Sequence, residues 1–183
     1  KSMFPNMERV IDKTTNVIDR HSIYIRNEEH VRWIDDCYML MGRARFYKQE
    51  FYIALEVFEY VAKAYNKKPP GYEAQIWLAR THLELKELNK AEAILKKIEE
   101  KKSIPKQFAS EFNAVFADYY IRVNNREEAI KHLEKALETT RKKHHKIRFN
   151  YVLAQLWLKQ KEFEQASIYF SKVIKLKPGY EML

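Results

Sequence analysis

The chain has very little glycine, proline and cysteine. Three Gly and five Pro among 183 residues are too few for the many tight turns of an all-β fold. The single cysteine, Cys37, cannot form a disulfide within the chain, so the fold must be stable without one. No apolar run reaches the length of a membrane span. The abundant Leu, Ala, Glu, Lys and Arg instead favour helices.

The sequence also lacks the common motifs of catalysis and cofactor binding. It contains no glycine-rich phosphate loop, no Gly-x-Ser-x-Gly elbow and no His-Glu-x-x-His helix. Its histidines are not spaced as metal ligands, because the adjacent His144 and His145 point to different sides of a helix. We therefore predict no catalytic residues, no small-molecule substrate, no cofactor and no metal ion.

Charge is unevenly distributed along the chain. The net charge is +9, and residues 92–183 hold 19 Lys and Arg against 12 Asp and Glu. The densest cluster extends from Arg141 to Arg148 and can attract phosphate, acidic protein or anionic lipid. The favoured interpretation is structural, because cations near the end of a helix stabilise its C-terminal carbonyl groups and a solvated turn between helices tolerates charge.

Four segments share one spacing of small and large apolar residues. Four alanines lie 37, 38 and 37 residues apart: Ala54, Ala91, Ala129 and Ala166. Each is followed four residues later by a large apolar residue: Phe58, Leu95, Leu133 and Phe170. This spacing puts both residues on one face of a helix. A large-small pair 12 residues earlier indicates a preceding helix: Met41-Gly42, Leu78-Ala79, Phe116-Ala117 and Leu153-Ala154.

These positions resemble the tetratricopeptide repeat (TPR) over about residues 35–178. The resemblance implies an all-α fold, a right-handed α-α superhelix (TPR solenoid) of about four helix-turn-helix repeats plus an N-terminal helix. We expect nine helices and no sheet. The implied N-terminal segment, 1–34, contains a helix and a connector, and its helix is the second helix of an upstream repeat. The four repeats that follow are 35–71, 72–109, 110–146 and 147–178. Residues 179–183 are the start of a truncated repeat.

In such a solenoid the first helices of stacked repeats line the concave groove. The resemblance therefore implies that another protein or a peptide segment binds there. Arg43 and Arg80 recur one repeat apart, and pairing with an acid of the adjacent repeat is their alternative role. Core packing is an equal alternative for Tyr47 and Trp77. The predicted groove residues are Asp36, Met39, Arg43, Tyr47, Trp77, Arg80, Glu84, Asp118, Arg122, Tyr151, Gln155 and Lys159.

Nucleic acid is a disfavoured partner. Helical repeats that read RNA need equivalent polar residues at one position of every unit. Here that position holds residues of different kinds: Arg43, Arg80, Asp118 and Gln155. An RNA-binding helical repeat protein is therefore the weaker alternative to a protein scaffold.

A narrower resemblance covers about the first 60 residues. The segments 12–22, 29–38 and 46–51 are similar to the SprE/PorW family of repeat-containing lipoproteins, which belong to type IX secretion and gliding motility. The resemblance implies a scaffold on the periplasmic face of the outer membrane, held by a lipidated N terminus outside this chain, and no other membrane contact. A cytoplasmic TPR adaptor or regulator is the alternative.

Overall fold

A computed structural model describes residues 4–26, 28–66, 68–100 and 104–177. Helices account for most of this part of the chain, which confirms the predicted all-α fold. The nine helices among the described residues are α1 Phe4–His21, α2 Ile34–Tyr47, α3 Phe51–Ala64, α4 Pro69–Glu84, α5 Leu88–Glu100, α6 Lys106–Arg122, α7 Arg126–Thr139, α8 Lys143–Lys159 and α9 Phe163–Lys175.

A short antiparallel ladder between α1 and α2 was not expected from the sequence. Strands β1 (Tyr24–Ile25) and β2 (Glu28–Glu29) pair Tyr24 with Glu29 and Ile25 with Glu28. The Glu29 carboxylate accepts hydrogen bonds from the backbone N–H groups of Ile23 at 3.0 Å and Val31 at 2.8 Å. Two residues per strand are too few to show the alternation that identifies a strand in sequence.

The chain divides into two compact units, residues 1–105 (unit 1) and 106–183 (unit 2). Unit 1 pairs α2 with α3 and α4 with α5, and unit 2 pairs α6 with α7 and α8 with α9. Each first helix begins one to four residues before the predicted repeat boundary, at Ile34, Pro69, Lys106 and Lys143. The division into repeats stays a prediction, and its last segment, 179–183, lies outside the described residues.

The alanines that define the repeat lie in the cores of both units. All four are buried, with Ala54, Ala91 and Ala129 completely inaccessible. The large apolar residue four positions later is buried in the first three hairpins, whereas Phe170 in the last is half-buried. Small residues allow the two helices of a hairpin to approach closely, so the predicted contact between them is confirmed.

Gly42 lies at a close contact between α2 and α3 in unit 1. It occupies the repeat position that holds Ala79 in the second hairpin. A Cβ atom at Gly42 would lie 2.5 Å from Cε1 of Phe58. The missing side chain therefore leaves the space in which the Phe58 ring is completely buried.

The turn inside each hairpin contains one residue with positive φ. These residues are Gln49 at 66°, Lys86 at 60°, Asn124 at 59° and Lys161 at 66°. Their spacing repeats that of the core alanines. A left-handed residue ends the first helix and reverses the chain, and here it is not glycine in any of the four turns.

Candidate protein-binding surfaces

Trp77, one of the predicted groove residues of unit 1, belongs to the core. It is 3% exposed, and its ring stacks on Phe58 with centroids 5.7 Å apart and planes at 24°. Phe46 packs edge-on against it at 5.3 Å. Met39 is also buried, at 1% exposure. The groove assignment is wrong for Met39 and Trp77, because neighbouring helices already cover both side chains.

Two arginines lie beside the Trp77 ring. The guanidinium carbon of Arg80 is 4.5 Å from the ring centroid, and that of Arg43 is 5.8 Å from it. Nη2 of Arg43, on α2, also pairs with Oε1 of Glu73, on α4, at 3.1 Å. Arg43 thus joins two hairpins, as the alternative role of the arginines predicts. Glu73 is not among the predicted groove residues.

The remaining predicted residues of unit 1 are accessible. Tyr47 is 49% exposed, and its ring meets Trp77 edge-on at 6.1 Å. Asp36 and Glu84 are exposed, and Arg43 and Arg80 are half-buried. We call Asp36, Arg43, Tyr47, Arg80 and Glu84 the unit 1 surface. It combines an exposed aromatic ring with charges of both signs, which suits polypeptide better than a phosphate backbone.

The predicted residues of unit 2 lie on α6 and α8. On α6, Arg122 donates two hydrogen bonds to Asp118, one from Nε at 3.1 Å and one from Nη2 at 3.2 Å. On α8, Tyr151, Gln155 and Lys159 are all exposed and follow one another at intervals of four. Intervals of four put these three side chains on one helical face, which we call the unit 2 surface.

A histidine that sequence reasoning did not place in the core lies at the centre of unit 2. His132 on α7 is 4% exposed, and its Nδ1 lies 2.9 Å from Oδ1 of Asn113. Nδ2 of Asn113 donates to the carbonyl of Ala109, so its Oδ1 is the acceptor and Nδ1 of His132 carries the proton. Burial lowers the pKa of His132 to about 4. The signal in the sequence is Asn113, a polar residue where the repeat usually has an aromatic one.

Two further observations concern the described part of the chain alone. No three His, Cys, Asp or Glu side chains there are grouped so as to hold a metal ion. No helix there has the length and apolar character needed to cross a membrane.

Family models and solved structures match this arrangement of helices. Two models of the tetratricopeptide repeat match residues 54–103 and 115–181, which together are more than half of the chain. The chain belongs to the tetratricopeptide-repeat family. Each matched region includes two of the four buried alanines that define the repeat. Among curated proteins, no sequence matches the chain.

Three solved structures illustrate the TPR-like fold. BtubC from P. vanneervenii has a TM-score of 0.71 and 10% identity, covering 99% of this chain and 75% of that one. MamA from Desulfovibrio magneticus RS-1 has a TM-score of 0.62 and 16% identity, covering 93% and 85%. YrrB, described as a TPR protein with an unusual peptide-binding site, has a TM-score of 0.54 and 15% identity, covering 97% and 81%. At these identities the likeness shows the fold.

Proposed function

We propose that the chain is a non-catalytic scaffold that binds segments of other proteins on the exposed residues of its first helices. The observation that carries this proposal is the unit 1 surface, where exposed Tyr47 lies beside half-buried Arg43 and Arg80. Tyr and Arg are among the residues that most often anchor protein interfaces. YrrB, which has a similar fold and a peptide-binding site, supports the same role for this chain.

The arginines of the unit 1 surface are held in place before a partner arrives. The Trp77 ring lies against both guanidinium groups, and Glu73 fixes Arg43 by an ion pair. Side chains that are already ordered lose less conformational entropy when they bind. A guanidinium group with several N–H donors can still bind carbonyl or carboxylate oxygens of a partner. An extended chain with such oxygens, placed across Tyr47, fits this chemistry.

The unit 2 surface has a different composition. Tyr151, Gln155 and Lys159 offer one aromatic ring, one amide and one cation along a single face of α8. An amide donates and accepts hydrogen bonds to a polypeptide backbone. We propose that this face is a second contact of the same scaffold function, and its partner need not be the one bound by unit 1.

Photo-crosslinking tests the unit 1 surface. A benzoylphenylalanine residue replaces Tyr47 in one variant and Tyr52 in the control, in the source cell. Tyr52 is a suitable control because it is 72% exposed and lies on the second helix α3. We expect protein adducts from position 47 that position 52 does not give. Equal adducts at both positions, or adducts at position 52 alone, would remove the unit 1 surface as the binding site.

We further propose that the scaffold works in the cell envelope, at the periplasmic face of the outer membrane. This proposal rests on the similarity of residues 12–51 to the SprE/PorW lipoproteins of type IX secretion and gliding. The test is fractionation of source cells with antibody to this chain, combined with metabolic labelling by a fatty acid. A labelled outer-membrane protein is the expected result. An unlabelled cytoplasmic protein would favour the adaptor alternative.

A further inference from the structure

A patch of cations lies between α7 and α8 and continues into α8. Its members are Arg141, Lys142, Lys143, Lys146 and Arg148, which we call the basic patch. All except half-buried Lys146 are exposed. The expectation that these cations lie beside the end of a helix is wrong for Lys143, Lys146 and Arg148, which belong to α8. Helix α7 ends at Thr139 without a basic residue in its last turn, and α8 already begins at Lys143.

Lys142, Lys143 and Lys146 therefore lie at the end of a helix where cations are unfavourable. The N-terminus of a helix carries partial positive charge from its unpaired N–H groups. Helix α8 has no acidic residue in its first turn and no side chain that caps it. Helix α7 of the same unit shows the usual arrangement, with Glu127 and Glu128 in its first turn and a cap from Asn125. The fold of α8 does not account for the cations at its start.

The cations of the patch also have no partners within the part of the chain that the structure describes. None of the five forms an ion pair with a described residue. Burial, and then the neighbouring His144 and Lys142, lower the pKa of His145, whereas the carboxylate of Glu111 on α6 acts in the opposite direction. The positive charge of the patch is thus concentrated and open to an anionic partner.

We infer that the basic patch binds an acidic segment of a partner protein. Carboxylates complement both the cations and the N-terminal N–H groups of α8. Between residues 139 and 148 the one large apolar side chain, Ile147, is buried. The patch itself therefore offers no Phe, Tyr or Trp on which bases stack and no apolar side chain to enter a bilayer. Its two histidine rings pack on each other at 4.4 Å, and His145 also packs on Phe149 at 5.5 Å. The favoured occupant is acidic polypeptide rather than nucleic acid or a membrane.

This interaction is separate from the proposed function of the unit 1 surface. It uses the loop after α7 and the start of α8, whereas the unit 2 surface begins further along α8, at Tyr151. Either interaction can fail without the other. Peptide binding at the basic patch needs no residue of unit 1.

The experiment compares two variants of equal net charge. One is Lys142→Gln, Lys143→Gln, Lys146→Gln, which removes three cations of the patch. The control is Lys135→Gln, Lys161→Gln, Lys175→Gln, which removes three exposed lysines elsewhere in unit 2. The probe is a short fluorescent peptide of alternating Asp and Glu, and its anisotropy is followed during salt titrations. Circular dichroism melts check both variants, and the patch variant should melt at or above the wild-type temperature because α8 loses unfavourable charges.

We expect the patch variant to bind the peptide roughly tenfold more weakly than wild type and the control variant to lose less than about twofold. Equal losses in both variants would reduce the effect to net charge and overturn the proposal. Absence of peptide binding to wild type at low salt would overturn it as well. Single-stranded RNA and phosphatidylserine vesicles serve as further probes. Tighter patch-dependent binding of either one than of the peptide would assign the patch to nucleic acid or to lipid and contradict the proposal.

Discussion

The two units have aromatic centres of different chemistry. In unit 1, the Trp77 ring stacks on Phe58 and makes a T-shaped contact with Phe46. In unit 2, the ring of His132 lies 4.5 Å from Phe116, and Tyr120 stacks on Phe116 at 5.0 Å. The rings of the first centre do not titrate near neutral pH, whereas the second contains a buried imidazole. The same repeat pattern thus supports one aromatic centre of Trp and Phe rings and one that includes a buried imidazole.

Removal of Trp77 should have the largest effect. Trp77→Ala leaves a cavity beside Phe58 and frees Arg43 and Arg80 from their contact with the ring, so we expect a loss of about 3–5 kcal/mol in the free energy of unfolding. Urea unfolding followed by circular dichroism measures the loss, and hydrogen exchange shows whether unit 1 carries it. Tyr52→Ala, at an exposed position of the same unit, should change stability by less than about 0.5 kcal/mol. Similar losses in both variants would contradict the central role of Trp77.

A methyl group at Gly42 should have a smaller effect. Gly42→Ala places Cβ against Phe58, so we expect a loss of about 1–3 kcal/mol by urea unfolding. Adding Phe58→Leu reproduces the Ala79 and Leu95 pair of the second hairpin. The double variant should then lose at least about 1 kcal/mol less than the sum of the single variants. Strict additivity would mean that Gly42 serves a purpose other than making room for Phe58.

Acid should weaken unit 2 through His132. The pKa of His132 is lowered from 6.5 to about 4 in the fold, so the unfolded chain binds the proton first as pH falls. The stability that the neutral ring contributes is complete above pH 6.5 and is lost as pH falls towards about 4. We expect this loss to be about 1–2 kcal/mol.

His132→Asn provides the comparison for this pH dependence. Its amide can keep the hydrogen bond to Asn113 but cannot titrate. Urea unfolding between pH 7 and pH 4.5 should show a steeper loss in wild type than in this variant. The carboxylates Glu50 and Glu87, whose pKa values are lowered by their partners, titrate in both proteins and cancel in the difference. Parallel profiles would exclude His132 as the source.

Much of the fold follows from residues that repeat along the chain. Ala54, Ala91 and Ala129 identified the second helices because a helix pair needs a small residue at its closest contact, and all three are buried. The ladder at Tyr24–Ile25 was missed because two residues show no periodicity. The start of α8 at Lys143 was missed because its cations suggested a helix end. Local charge is a weak guide to helix boundaries when packing determines them.

Less of the site was predictable. Repeat position correctly placed Tyr47, Tyr151 and Lys159 at the surface. It could not tell that Trp77 turns inward, since that depends on Phe58 of another helix and on the space left by Gly42. The pairing of Arg43 with Glu73 depends in the same way on how two hairpins pack. Contacts between hairpins are long-range, and a single sequence does not encode them as a local pattern.

The four left-handed turns also bear on the unfolded chain. Gln49, Lys86, Asn124 and Lys161 adopt a backbone conformation that glycine reaches with less strain. Glycine would relieve that strain in the fold but would also increase the number of conformations open to the unfolded chain. With only three glycines in 183 residues, the chain keeps its denatured ensemble comparatively restricted. A residue other than glycine at each of these turns therefore has two effects. It strains the folded backbone, and it stabilises the fold by limiting the conformational entropy of the unfolded chain.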